Sequence, residues 1–273
     1  MDLGHTLKMG DSMKKIVVLY FSGVISTKAV SQKINTELKK HCTTEIFSIE
    51  KLPPNFNIEG YHACVLGFPT YHAHPPQIML DFINSLKRLE KPMPAYIFTT
   101  CGWCSANTLR IFAKYCVKKN IIPVLHRSFN GCPAADGSLI APFIKRFFRF
   151  SRNLDKTILL DVNSFYNKAE DTKLNIPRLK LYSILNYPNK VGGRLITLKI
   201  FVHTDKCTKC GKCVRNCFAN ALKTNDNDYP VFIRKKCEEC YRCIHYCPTL
   251  ALSLRKRKTP SRTLIKGKED PRL

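Results

Sequence analysis

Two apolar rhythms alternate through the first half of the chain. Residues 15–22, Lys-Ile-Val-Val-Leu-Tyr-Phe-Ser, form a β-branched run of the kind expected for a strand covered on both faces of a parallel sheet. Val30, Ile34 and Leu38 then recur at helical spacing, with Ser26 or Thr27 placed as a cap, so a helix is predicted over residues 26–40. The alternation continues with strands over 44–49, 63–68, 95–100 and 121–126, and helices over about 76–87, 106–118 and 138–150. Five strands alternating with helices predict a doubly wound α/β domain over residues 14–150, with ligand-binding loops at the strand carboxyl ends.

The rhythm then weakens. Residues 151–195, with short helical pieces at 158–160, 176 and 179–185, read as a linker, and β-runs at 196–202, 231–233 and 252–254 mark a smaller unit over 196–254. Residues 1–13 lack the apolar stretch of a secretory signal and read as a disordered extension. Residues 255–273, opening with Arg255-Lys256-Arg257-Lys258, read as a mobile basic tail.

The smaller unit carries the densest chemistry. Cys207, Cys210, Cys213 and Cys217 are repeated 30 positions later as Cys237, Cys240, Cys243 and Cys247, an internal duplication. Four thiolates within eleven residues suit a cubane whose irons each take one sulfur donor, and disfavour disulfides. Zinc is the alternative, but a zinc ribbon separates its Cys-x2-Cys pairs by a long spacer and needs only four ligands. The pattern C-x2-C-x2-C-x3-C-P, read twice and retaining Pro248, resembles the bacterial two-cluster ferredoxins. In that family the fourth cysteine of each run ligates the other cluster. The resemblance therefore implies one [4Fe-4S] centre on Cys207, Cys210, Cys213 and Cys247, and a second on Cys237, Cys240, Cys243 and Cys217. Phe218 replaces the usual first proline, and Tyr241 and Arg242 replace small residues, changes read as tuning potential without removing a ligand.

The loops of the first domain carry a second resemblance. Phe21-Ser22-Gly23-Val24-Ile25-Ser26-Thr27 resembles the flavodoxin phosphate loop, where hydroxyls and amides at a helix N-terminus wrap the FMN phosphate. This implies phosphate-side roles for Ser22, Gly23, Ser26 and Thr27. Ile25 stands where glycine is usual, and a β-branched residue resists positive φ, so weakened FMN binding is expected. Gly67-Phe68-Pro69-Thr70-Tyr71-His72 and Thr99-Thr100-Cys101-Gly102-Trp103 resemble the two loops that flank the isoalloxazine, which brings in Thr70, Tyr71, His72, Thr100, Cys101 and Gly102. The plainer readings are an exposed Tyr71, solvated His72 and His74, and Trp103 packed on a domain interface. Cys101 and Cys104 also fit a redox dithiol at a helix start, while Cys42, Cys64, Cys116 and Cys132 read as packing thiols.

Composition narrows the setting. The 273 residues suffice for two domains, and no apolar run approaches the 18 residues of a membrane span. Fourteen cysteines, eight of them assigned to clusters, place the chain in a reducing compartment, the cytoplasm. Net charge is +25, and both halves are basic, +10 over residues 1–150 and +15 over 151–273. Such a field favours an acidic redox partner, with nucleic acid or an anionic membrane surface as lesser options.

Together the two halves resemble flavodoxin–ferredoxin fusion proteins: a flavodoxin-like doubly wound sheet followed by a small α+β two-cluster ferredoxin. The resemblance implies an iron–sulfur flavoprotein relaying low-potential electrons between its clusters and FMN or a partner. Two other classes are a flavin-dependent reductase of a small substrate and a redox-sensing nucleic-acid-binding protein. The first requires a substrate pocket beside the flavin, and the second a steep salt dependence of binding.

Overall fold

The computed structural model describes residues 14–131, 149–181, 199–254 and 256. The expected extension over 1–13, most of the helix over 138–150, the end of the linker and nearly all of the basic tail lie outside them. Among the described residues, no helix is long and apolar enough to cross a membrane.

The N-terminal domain is a five-stranded parallel sheet of β1 (Lys15–Tyr20), β2 (Thr43–Ser48), β3 (Ala63–Pro69), β4 (Met93–Cys101) and β5 (Ile121–Asn130). Its spatial order is β2-β1-β3-β4-β5, so the direction of winding reverses beside β1 and β3. A ligand-binding crevice opens at such a reversal, outside the strand carboxyl ends. Alternate residues of β1 serve opposite cores. Ile16 and Val18 pack with α1 (Ser26–Leu38) through Val30, Ile34 and Leu38, whereas Val17 and Leu19 face Met79, Leu80 and Ile83 of α2 (Gln77–Ser85). Phe112 and Cys116 of α3 (Thr108–Lys118) complete the second core.

One boundary needs correction. Residue 150 was the expected end of this domain, yet its core continues into α4 (Leu154–Asn167), where Leu154, Ile158, Val162 and Phe165 are buried among residues of β1, β4 and α1. Their spacing forms one apolar helical stripe. Asp161, on the same helix and 2% exposed, accepts a 3.0 Å bond from the hydroxyl of fully buried Tyr96 and one bond each from Nε and Nη2 of Arg127, along a single guanidinium edge. Part of the expected linker therefore holds the sheet together.

The second unit is built from paired short elements. β6 (Phe201–Val202) pairs antiparallel with β9 (Leu252–Ser253), and β7 (Leu222–Thr224) with β8 (Pro230–Phe232). The helices α5 (Lys212–Arg215) and α6 (Arg242–Tyr246) pack against each other. The duplication is written into the backbone. Lys209, Gly211 and Asn220 have positive φ, and so do Glu239, Tyr241 and Leu250, each 30 residues later. Gly211 takes this conformation without strain; Tyr241, with φ 54°, costs about 1–2 kcal/mol there.

Loss of the Asp161 carboxylate leaves the Tyr96 hydroxyl buried without an acceptor. Asp161→Ala should lower stability by about 2–3 kcal/mol, and Tyr96→Phe, which removes one bond and strands no charge, by about 1 kcal/mol. Urea denaturation of the two variants checks the ranking.

Candidate functional site

The eight repeated cysteines line two cavities. One is bounded by Cys207, Cys210, Cys213 and Cys247, the other by Cys217, Cys237, Cys240 and Cys243. Each cavity thus receives three cysteines from one run and the fourth from the other, the crossed grouping that the resemblance implied. The fourth cysteines follow α5 and α6 and are fixed alike: the amide of Ala221 donates to Cys217 Sγ at 3.2 Å and that of Ala251 to Cys247 Sγ at 3.1 Å. The Glu239 amide adds a 3.3 Å bond to Cys237 Sγ. Burial pushes the Cys213 and Cys240 thiols up to about 11 and Cys237 up to about 12, a bias toward the neutral thiol that a bound metal reverses by stabilising the thiolate. Both tetrads surround a cavity; among the described residues, no group of three or more His, Cys, Asp or Glu side chains closes on a single ion.

At the carboxyl ends of β1, β3 and β4, hydroxyls tie three loops together. Thr27 Oγ1 lies 2.8 Å from Thr100 Oγ1, and Thr70 Oγ1 2.8 Å from Thr99 Oγ1. Ser22 Oγ accepts from the Lys28 amide at 3.2 Å and donates to the Val24 carbonyl at 3.3 Å, which fixes the turn into α1. Ser26 Oγ differs from these. It is buried at the start of a 13-residue helix that has no side-chain cap, and no group among the described residues bonds it. An unmet buried hydroxyl costs about 1–3 kcal/mol, and a helix N-terminus favours an anion, so this position fits a phosphate. Ile25 does not impose the expected strain: its φ of −119° and ψ of −30° lie on the ordinary side of the map.

Residues 17–123 match the family model described as a flavodoxin domain, and residues 206–252 the model described as a 4Fe-4S dicluster domain. The chain joins a flavodoxin domain to a 4Fe-4S dicluster domain. Among solved structures, oxidised Flavodoxin 2 from Bacillus cereus shares 14% identity at a TM-score of 0.43, over 56% of this chain and 99% of that one. A flavodoxin from the domain Archaea has 14% identity and a TM-score of 0.40, over the same shares of the two chains. The Fusobacterium nucleatum flavodoxin bound to flavin mononucleotide has 15% identity and a TM-score of 0.40, over 57% and 99%. No curated protein matches the chain.

The dicluster domain meets the flavodoxin domain at the loop over residues 22–27. Arg242, 8% exposed, donates to the Ser22 and Gly23 carbonyls at 2.6 and 2.7 Å and to both oxygens of Glu50 at 2.8 and 2.7 Å. Burial opposes its charge, but the Glu50 carboxylate outweighs burial and holds the guanidinium above its ordinary range. The cation lies 5.4 Å from the rings of both Phe21 and Phe218, which meet edge to face at 4.7 Å. His72 Nε2 lies 2.6 Å from Glu239 Oε2, and the Gln77 amide donates to Glu238 at 3.3 Å. A β-carbon on Gly23 would stand 2.0 Å from Tyr71 Oη and 3.2 Å from Cys240 Cβ, so this close approach requires glycine.

The expected cofactor residues divide accordingly. Ser22, Gly23, Ser26, Thr27, Thr70, Tyr71 and Thr100 converge on the strand ends. His72 turns toward the dicluster domain. Cys101 and Gly102 tie down to β5, through Cys101 Sγ to Asn130 Oδ1 at 3.1 Å and the Gly102 carbonyl to the Gly131 amide at 2.7 Å. The plainer readings of the aromatic and histidine side chains are not met: Tyr71 is half-buried, His72 faces a carboxylate, and Trp103 is 69% exposed rather than packed between domains. Sequence reasoning missed Arg242, Glu50 and Phe218 as contact residues. Their signal was the departure of Phe218 and Arg242 from the ferredoxin pattern.

Cys104 is exposed, whereas full burial pushes the Cys64 and Cys116 thiols far up. Among the six cysteines outside the tetrads, brief alkylation of the native protein should label Cys104 at least about tenfold faster than Cys64 or Cys116. Peptide mass mapping reads the order, and equal rates would reveal opening of the sheet core.

Proposed function

We propose that the chain is an iron–sulfur flavoprotein that relays low-potential electrons between two [4Fe-4S] clusters and FMN. The observation that carries this reading is the sorting of eight cysteines into two crossed tetrads beside a loop whose buried Ser26 hydroxyl awaits a partner. Cys207, Cys210, Cys213 and Cys247 would hold one cluster, and Cys217, Cys237, Cys240 and Cys243 the other. FMN would supply a centre that exchanges one or two electrons, against one for each cluster.

The residues around it have separable tasks. Ser26 Oγ and the first turn of α1 bind the phosphate; the Thr27–Thr100 and Thr70–Thr99 pairs hold the flanking loops at fixed spacing. The loops carrying Tyr71–His72 and Cys101–Gly102 would flank the ring, the first held by His72 to Glu239 and the second by Cys101 to Asn130. The surplus of cationic side chains draws an acidic redox protein as the external partner, and thiolate-held iron suits the cytoplasm.

Anaerobically purified protein should contain about eight irons and eight sulfides per chain. Cys217→Ala should alter the electron paramagnetic resonance signal of the centre on Cys237, Cys240 and Cys243 and spare the other. Zinc in place of iron, or damage confined to the centre on Cys207, Cys210 and Cys213, sinks the assignment.

Ser26→Ala has opposite expected effects on the two forms of the protein. It should weaken FMN binding by roughly tenfold or more through loss of a bond to a charged phosphate, and it should stabilise the flavin-free chain by removing an unsatisfied hydroxyl. Thr27→Ala should weaken binding less, because that hydroxyl is already paired with Thr100. Fluorescence titration and thermal melting of the apoprotein measure the two signs.

A further inference from the structure

Position 242 breaks the internal duplication in a telling way. Its counterpart, Lys212, is exposed on α5, whereas Arg242 is buried between domains and flanked in sequence by two cysteines of the second tetrad. Its guanidinium makes two bonds to loop carbonyls and two to Glu50, and a further one of 3.2 Å to the Asn216 carbonyl, next to Cys217 of the same tetrad. The side chain therefore braces the second tetrad and the phosphate loop at once. Directly beside it, Cys240 lies next to Gly23, where an added β-carbon would stand 3.2 Å from Cys240 Cβ and 2.0 Å from Tyr71 Oη.

We propose that Arg242 is a positioning residue that locks Cys240 onto Gly23, making this contact the fixed crossing point for electrons between the second cluster and the flavin site. The proposal rests on the function argued above and specifies which tetrad faces the flavin. Each crossing moves one electron: the second cluster loses it as the flavin site gains it, and an external one-electron reductant refills the clusters. A path through the loop backbone suits a planar, multidentate cation, because an ammonium cannot hold two carbonyls and a carboxylate in one plane. The positive charge beside Cys240 has a separate effect, since it favours the more negative, reduced cluster.

The test uses the full chain loaded with iron, sulfide and FMN. Three measurements apply: amide hydrogen exchange over residues 20–28, the midpoint potentials of the two clusters, and the rate at which electrons equilibrate with flavin after rapid photoreduction. Arg242→Met should lower the potential of the second cluster alone, reduce loop protection by roughly tenfold or more, and slow equilibration by a similar factor. Arg242→Lys should restore the potential while leaving the loop loose and the transfer slow, which separates charge from positioning. Glu50→Gln, which keeps an acceptor and leaves the cysteine-bearing segment untouched, should loosen the loop in the same direction. Lys212→Met should change neither the loop nor the rate. Clusters and FMN at full occupancy in Arg242→Lys, with unchanged protection and unchanged rate, overturn the proposal and leave the function standing. A chain that binds no FMN sinks the flavin part of that function and with it the crossing point, whatever the exchange of the loop.

Discussion

Cysteine 240 must face a cavity and lie against a neighbouring backbone at the same time, and this double demand constrains everything around it. Its own loop turns through left-handed Glu239 and Tyr241, and it faces Gly23, where a β-carbon would crowd Cys240 at 3.2 Å and collide with the Tyr71 hydroxyl. Between them Arg242 satisfies carbonyls that would otherwise be buried without donors. A guanidinium taken out of water is unfavourable by itself, and the arrangement is tenable because Glu50 meets it with both oxygens and the Phe21 and Phe218 rings lie together 5.4 Å from it. Such a contact is brittle: removing either charge strands the other.

Charge is distributed unevenly as a result. The chain has 45 basic and 20 acidic side chains, yet the carboxylates of Glu50, Glu238 and Glu239 all engage partners across the domain contact. Attraction is thereby concentrated inside, where ionic strength screens it poorly, while the excess of cations is left to the outside, where salt acts on it strongly. Contacts made by the exposed cations and cohesion between the two domains should accordingly respond to salt in different ways.

Much of this was legible in the residues themselves. Strands β1, β3 and β4 are continuous apolar runs because both faces are covered, and that signal survives without tertiary information. The cysteine spacing was more explicit still, since ligand number and interval are chemical requirements. Helix α4 was harder to see: Leu154, Ile158, Val162 and Phe165 have helical spacing, but Asp161 interrupts the apolar face, and only the fold reveals Tyr96 and Arg127 waiting for it. The domain contact was the least readable. Phe218 and Arg242 looked like substitutions within a ferredoxin, because the surfaces they meet are about 190 to 220 positions away along the chain. The ease of Ile25 is also a matter of path, since the loop turns without the positive φ that its resemblance had suggested.

The paired left-handed positions bear on the history and engineering of the molecule. Two copies of one ligand-bearing segment are interchangeable as metal-binding parts, and a chimera in which residues 207–217 replaced 237–247 would still present every sulfur. It would carry Gly211 and Lys212 where Tyr241 and Arg242 now stand. Such a protein keeps its chemistry and loses its address. The strain retained at Tyr241 thus marks one copy as inward-facing, giving an otherwise repetitive module a front and a back.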